Sequence, residues 1–169
     1  MFDTPIAPRL DARKVCDAEQ FIKGSIQVAE LNGLLSYLES EQGNVEVTLQ
    51  FQRDERRRPT VTGLVEAKGV EIICQRCLQI APHDLRVELD VTVVLDESQA
   101  EKLPAERDAW IVEDGQLNLR ELLDQELILS LPIVPYHVDC EVETQYGDVG
   151  AEQQKENPFG VLAGLLQKD

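Results

Sequence analysis

Cys74-x-x-Cys77 and His137-x-x-Cys140 are two places in this 169-residue chain where soft ligands stand in pairs with two residues between them. That spacing lets one tight turn aim both side chains at a single ion, and two such pairs complete the tetrahedron of a structural zinc site. The pairs are 59 residues apart, against roughly 15 to 20 in a compact zinc ribbon, so the fold has to bring them together. His83, six residues past Cys77, offers a substitute ligand. Two further readings stay open: buried or simply reduced thiols, and disulfide chemistry. The redox reading is the weaker, because a thioredoxin-like pair sits at a helix start whose dipole lowers the thiol pKa, whereas Cys74 closes a strand-like run with no βαβ pattern around it. Cys16 stands apart and reads as a small apolar filler.

Other chemistry is thinly supplied. There is no Gly-rich phosphate loop, no Gly-x-Ser-x-Gly elbow and no His-Glu-x-x-His, and two histidines leave little general-base chemistry. No carboxylate is singled out by an apolar setting that would split its pKa from the others. We expect no enzyme.

Charge points to a partner instead. The 16 Lys and Arg against 32 Asp and Glu leave a formal −16, a field that repels naked nucleic acid and suits a basic protein. Acidity that serves solubility alone is the plainer alternative. One basic cluster runs against the trend: Arg53, Arg56, Arg57 and Arg58 fall within six positions of "QRDERRRP". Arginine forks suit phosphate oxygens, but no aromatic residue is interleaved to stack on bases, so a solvated hairpin tip is the competing reading. No apolar run approaches the roughly 20 residues that cross a bilayer, and the N-terminus lacks the basic-then-apolar order of a signal peptide. The expectation is a cytoplasmic protein with reduced thiols.

The elements that must position these residues change period along the chain. Residues 1 to 24 read as an extended arm, and "SIQVAELNGLLSYLES" as one short helix ended near Gly43-Asn44. Val45, Val47, Leu49 and Phe51 alternate with polar residues, as do Val87, Leu89, Val91 and Val93. With "TVTGLVEAKGVEIIC" between them they form an antiparallel meander, Gly63 and Gly69 marking bulges or bends. Residues 96 to 118 read as an irregular acidic connection with an apolar "WIV" and a turn at Asp114-Gly115. Asn118 as cap, Glu121 three residues on, and Leu119, Leu122, Leu123 and Leu127 announce a helix, widened by Ile128, Leu129 and Leu131 and stopped by Pro132. Pro132 and Pro135 stiffen the run that carries His137 and Cys140. After a polar stretch, Asn157 as cap, Pro158 at the first helical position, and Phe159, Leu162, Leu165 and Leu166 predict a short amphipathic helix. It can dock on its own domain or fill a partner's groove.

Three of these stretches carry a resemblance. "CQRCLQ", "LDQELILSLPIVPYHVDC" and the terminal "NPFGVLAGLLQKD", in that order over essentially the whole chain, resemble the bacterial YceD family, the large ribosomal RNA subunit accumulation proteins. The resemblance implies a non-enzymatic role in synthesis, processing or stability of 23S ribosomal RNA, hence in large-subunit assembly. Family genes commonly lie beside a large-subunit ribosomal protein gene, which implies an acidic protein that handles a basic one. Cys74 and Cys77 match the family's Cys-x-x-Cys. Glu126, Leu129, Leu131, Pro132 and Pro135 match its helix-to-proline segment, Cys140 a later cysteine, and Asn157, Pro158 and Phe159 its terminal motif. Some relatives carry a second cysteine pair late in the chain, where His137 here replaces one member.

The expected architecture is α+β: residues 1–138 form one domain on an antiparallel sheet with the 119–131 helix packed on it. Residues 139–156 are a flexible acidic linker, and 157–169 a tethered amphipathic helix. The expected function is ribosome biogenesis by binding. The partner would be a large-subunit ribosomal protein or pre-ribosomal particle, with precursor 23S RNA reached indirectly and no membrane or small-molecule substrate. A direct RNA-binding module using Arg53, Arg56, Arg57 and Arg58 and, below it, an RNA-processing enzyme are the alternatives.

Overall fold

The alternating runs pair as a meander. Val45, Val47, Leu49 and Phe51 on β3 (Asn44–Arg53) are fully buried, because successive strand residues face opposite sides and this set shares the core side. Their antiparallel partners on β4 (Pro59–Ile73) are Ala67, Val65, Gly63 and Val61, which in turn face Leu85, Val87, Leu89 and Val91 on β5 (Ile80–Val94). The opposite side presents Glu46, Glu66, Arg86, Glu88 and Asp90 to solvent or to one another. This computed structural model describes residues 6–141. The expected linker beyond Glu141 and the expected helix with Asn157, Pro158, Phe159, Leu162, Leu165 and Leu166 lie outside the described residues.

Both glycines of β4 matter, for different reasons. Gly69 has φ +63° where the β4–β5 register shifts between Ala67 and Val70, the expected bulge. Gly63 is not a bulge. It keeps register with Leu49 and Leu89, but a Cβ there would lie 2.1 Å from the Thr48 carbonyl oxygen, so the strands approach only because the side chain is missing.

Three expectations need correction. The N-terminal arm contains β1 (Arg9–Asp11) and a helix, α1 (Ala12–Asp17), whose N-terminus is capped by Asp11 accepting from the N–H groups of Arg13 and Lys14. Ala12, Val15 and Cys16, at i, i+3 and i+4, are buried, so Cys16 is a core filler as expected. The region expected as one helix opens instead with β2 (Phe21–Gln27), paired along its length with β3, and keeps only a 3-10 turn over Val28–Glu30 and one α-helical turn, α2 (Asn32–Leu35). Gly24 hid the strand period by interrupting the apolar series of Ile22 and Ile26, which face Leu49 and Val45. The "WIV" connection holds α3 (Glu97–Ala100), β6 (Asp108–Ile111) and β7 (Gln116–Asn118). β6 runs parallel to β5 and makes the five-stranded sheet, in order β2-β3-β4-β5-β6, mixed at that end, while β7 pairs antiparallel with β1. Asp114 and Gly115, both at positive φ, form the expected turn.

The capped helix is α4 (Leu119–Leu129), with Asn118 Oδ1 accepting from the Glu121 N–H, and Leu119, Leu122, Leu123 and Leu127 have no exposure. They close the core over the sheet. Asp124 adds a long-range tie, accepting the N–H groups of Gly33 at 2.8 Å and Leu34 at 2.7 Å and so capping α2, which lacks a cap of its own. Ile128 faces Gly33, and Leu129, about 100° further round the helix, is 79% exposed rather than buried. Among the described residues no helix is long and apolar enough to cross a membrane.

Candidate metal centre

Cys74 follows the last residue of β4 and opens a tight turn to β5. Its N–H donates to the Gln79 carbonyl and its own carbonyl accepts from the Leu78 N–H, which closes the turn and forces Leu78 to φ +59°. The turn aims Cys74 and Cys77 the same way. Facing it, the stiff run after α4 is pinned by the Gln75 N–H donating to the Pro135 carbonyl at 2.8 Å. Arg76 strengthens the join: one guanidinium nitrogen donates to the Cys140 carbonyl at 2.7 Å, another to the His137 carbonyl at 2.9 Å, and its plane lies 5.4 Å from the Tyr136 ring centre.

These ties bring the two distant pairs together. The Sγ atoms of Cys74, Cys77 and Cys140 and a ring nitrogen of His137 all lie within 4.8 Å of one another. Cys74 and Cys140 sulfurs are 3.6 Å apart, and Cys77 Sγ is 3.3 Å from His137 Nδ1. A zinc–sulfur bond of about 2.3 Å implies tetrahedron edges of about 3.8 Å between sulfurs, so the four atoms sit near the corners an ion requires. His137 Nε2 lies 2.8 Å from the Ile80 carbonyl, which can only accept, so the proton resides on Nε2 and the Nδ1 lone pair faces the cluster.

The electrostatics favour thiolate at one corner. Burial by itself would raise the Cys74 thiol, but N–H groups from Cys77, Arg76 and His137 and the Cys140 thiol outweigh it and bring Cys74 down to about 5. Cys140 moves the other way, raised by burial and then by its neighbours Cys74 and Cys77. All four cysteines are free thiols, and the 3.6 Å between Cys74 and Cys140 is far beyond a bond of about 2.05 Å. Three cysteines and one histidine fill all four positions of a tetrahedral ion, which matches a closed structural centre without an open coordination position.

His83 is outside this group. It pairs with Val70 in the sheet, and its buried Nε2 has no hydrogen-bond partner among the described residues. The arginine cluster is at the β3–β4 turn, as expected. Arg53 is held by Asp17 and by the Arg57 carbonyl, and Arg58 by Asp54 at 2.6 Å, while Arg56 and Arg57 are exposed. Sequence reasoning missed Arg76 altogether, although its place between the two cysteines was a signal that it would lie at the join.

Comparison with known proteins adds sequence relatives. A family model described as "Large ribosomal RNA subunit accumulation protein YceD" matches residues 61–166, a span that contains both ligand pairs. The Haemophilus influenzae protein named large ribosomal RNA subunit accumulation protein YceD is 36% identical over 132 residues, covering 74% of this chain and 75% of that relative. No solved structure matches.

Proposed function

Since the chain belongs to the YceD family, we propose that it supports accumulation of large-subunit ribosomal RNA as a cytoplasmic assembly factor that acts by binding rather than by catalysis. The observation that carries this reading is the family match over residues 61–166, joined to a formal charge of −16. A strongly anionic surface favours a basic ribosomal protein or a pre-ribosomal particle over bare RNA, and precursor 23S RNA is then reached through that partner. The terminal stretch with Asn157, Pro158, Phe159, Leu162, Leu165 and Leu166 serves as a partner-binding element, supported by its cap and apolar stripe.

Zinc fits the four-residue centre by donor type, donor number and spacing. Cys74, Cys77, His137 and Cys140 would hold it, and the ion would clamp the β4–β5 turn to the run after α4. Its part is structural: it stabilises a surface and transforms no substrate.

Depleting the chain from cells and quantifying mature and precursor 23S RNA against 16S RNA tests the reading. The expected result is a fall in the 23S to 16S ratio, rescued by the intact gene. An unchanged ratio overturns it. Direct RNA contact is the second reading, favoured by the exposure of Arg56 and Arg57. It requires RNA affinity by the purified chain that is lost in Arg56→Ala/Arg57→Ala.

A further inference from the structure

Eleven large apolar side chains are exposed on the described surface, and seven of them fall on the two segments that meet at the candidate metal centre, 78–80 and 129–138: Leu78, Ile80, Leu129, Ile133, Val134, Tyr136 and Val138. The two segments that carry them are held together by the contacts of the centre, Gln75 to Pro135 and His137 to Ile80. Beside them lies a groove of about 380 Å³ lined by Tyr37, Ile72, Ile128, Leu131, Ile133 and Pro135. Ile133 is 100% exposed and Val138 88%. An apolar ridge of this kind marks a binding surface.

We infer that this ridge is the docking surface for the chain's own C-terminal stretch, residues 157–166. The described chain ends at Glu141, one residue past the ligand Cys140, so the continuation starts beside the ridge. Fifteen residues, 142–156, separate it from Asn157. Such a length spans about 50 Å when extended and about 20 Å on average as a coil, enough to return along the ridge. The stretch that arrives is matched to it: residues 157–166 contain no charged side chain and place Phe159, Leu162, Leu165 and Leu166 on one helical stripe.

The competing occupant of the same chemistry is a second copy. Pairing two copies would bring together chains that each carry −16, whereas the chain's own terminus arrives at an effective concentration of order millimolar. The docked stretch covers the side chains assigned above to partner binding, so a partner has to displace it. That consequence rests on the proposed function, and the docking itself does not.

The test uses the full chain with p-benzoylphenylalanine in place of Ile133, irradiated in dilute solution and mapped by mass spectrometry. The expected product is a cross-link to a peptide within 157–166 of the same chain, with a yield independent of protein concentration. In Leu162→Asp/Leu165→Asp that yield falls about tenfold, as apolar burial is lost, and amide exchange of residues 129–138 speeds up while the circular dichroism spectrum is retained. A cross-linked dimer whose yield rises with concentration, a cross-link mapping elsewhere, or a yield unchanged by the double substitution overturns the inference. Loss of the 23S phenotype would leave this result untouched, so the two failures are distinguishable.

Discussion

The Cys74 sulfur is buried and accepts from the Arg76 N–H at 3.4 Å, and with the backbone of Cys77 and His137 beside it the thiolate is favoured. The centre depends on each of its four corners, because a structural ion bound through three protein ligands is held far more weakly than through four. Cys77→Ser is expected to reduce zinc in protein purified without chelator from about one ion per chain to near none, and to lower the melting temperature. Elemental analysis beside a thermal melt checks this, and a chain without stoichiometric metal in its unmodified form contradicts it. Glu126 illustrates the opposite electrostatic case. Burial, and then the charge of Asp108, push its carboxyl above the ordinary 4.5. A carboxyl raised in the folded chain imposes no penalty below its unfolded pKa and its full penalty above the folded one. Glu126→Gln is therefore expected to stabilise the protein at pH 7 by less than about 1 kcal/mol, the group being half exposed, and to change nothing at pH 3.5. Denaturant titrations at the two pH values measure it.

At the scale of elements, the ties between distant segments decide how the site is placed. Asp124 reaches from α4 to cap α2, ninety residues earlier in sequence. Asp124→Ala leaves two backbone N–H groups without their acceptor and is expected to cost about 1–3 kcal/mol, read as a shift in urea midpoint with unchanged slope. The meander and α4 were legible in the sequence because their signals are local: alternation at Val45 to Phe51 and Val87 to Val93, and a cap followed by leucines at helical spacing. β2 and β6 were not, since Gly24 breaks one pattern and β6 is four residues long and owes its form to pairing with β5. The four candidate ligands were named from spacing alone, but their convergence was not legible. It depends on Arg76 and Gln75 donating across the join to carbonyls of residues 135 to 140, contacts that no short-range pattern encodes.

The whole molecule combines a mixed sheet with a pinned end and a dominant negative charge. Its solvent-facing strands add carboxylates at Glu46, Glu66, Glu88 and Asp90, of which Glu66 and Glu88 share Arg86 and Asp90 engages Arg107. Exposed ion pairs of this kind contribute little to stability, about 0–1 kcal/mol each, and under the proposed function the excess acidity acts as a field that selects partners. The most direct measurement is to isolate the tagged full chain from gently lysed cells and identify the proteins and RNA retained at low and at high salt. Recovery of large-subunit ribosomal proteins or precursor 23S RNA at low salt, lost as salt rises, is the expected result for an anionic assembly factor. Recovery of neither at low salt would contradict it.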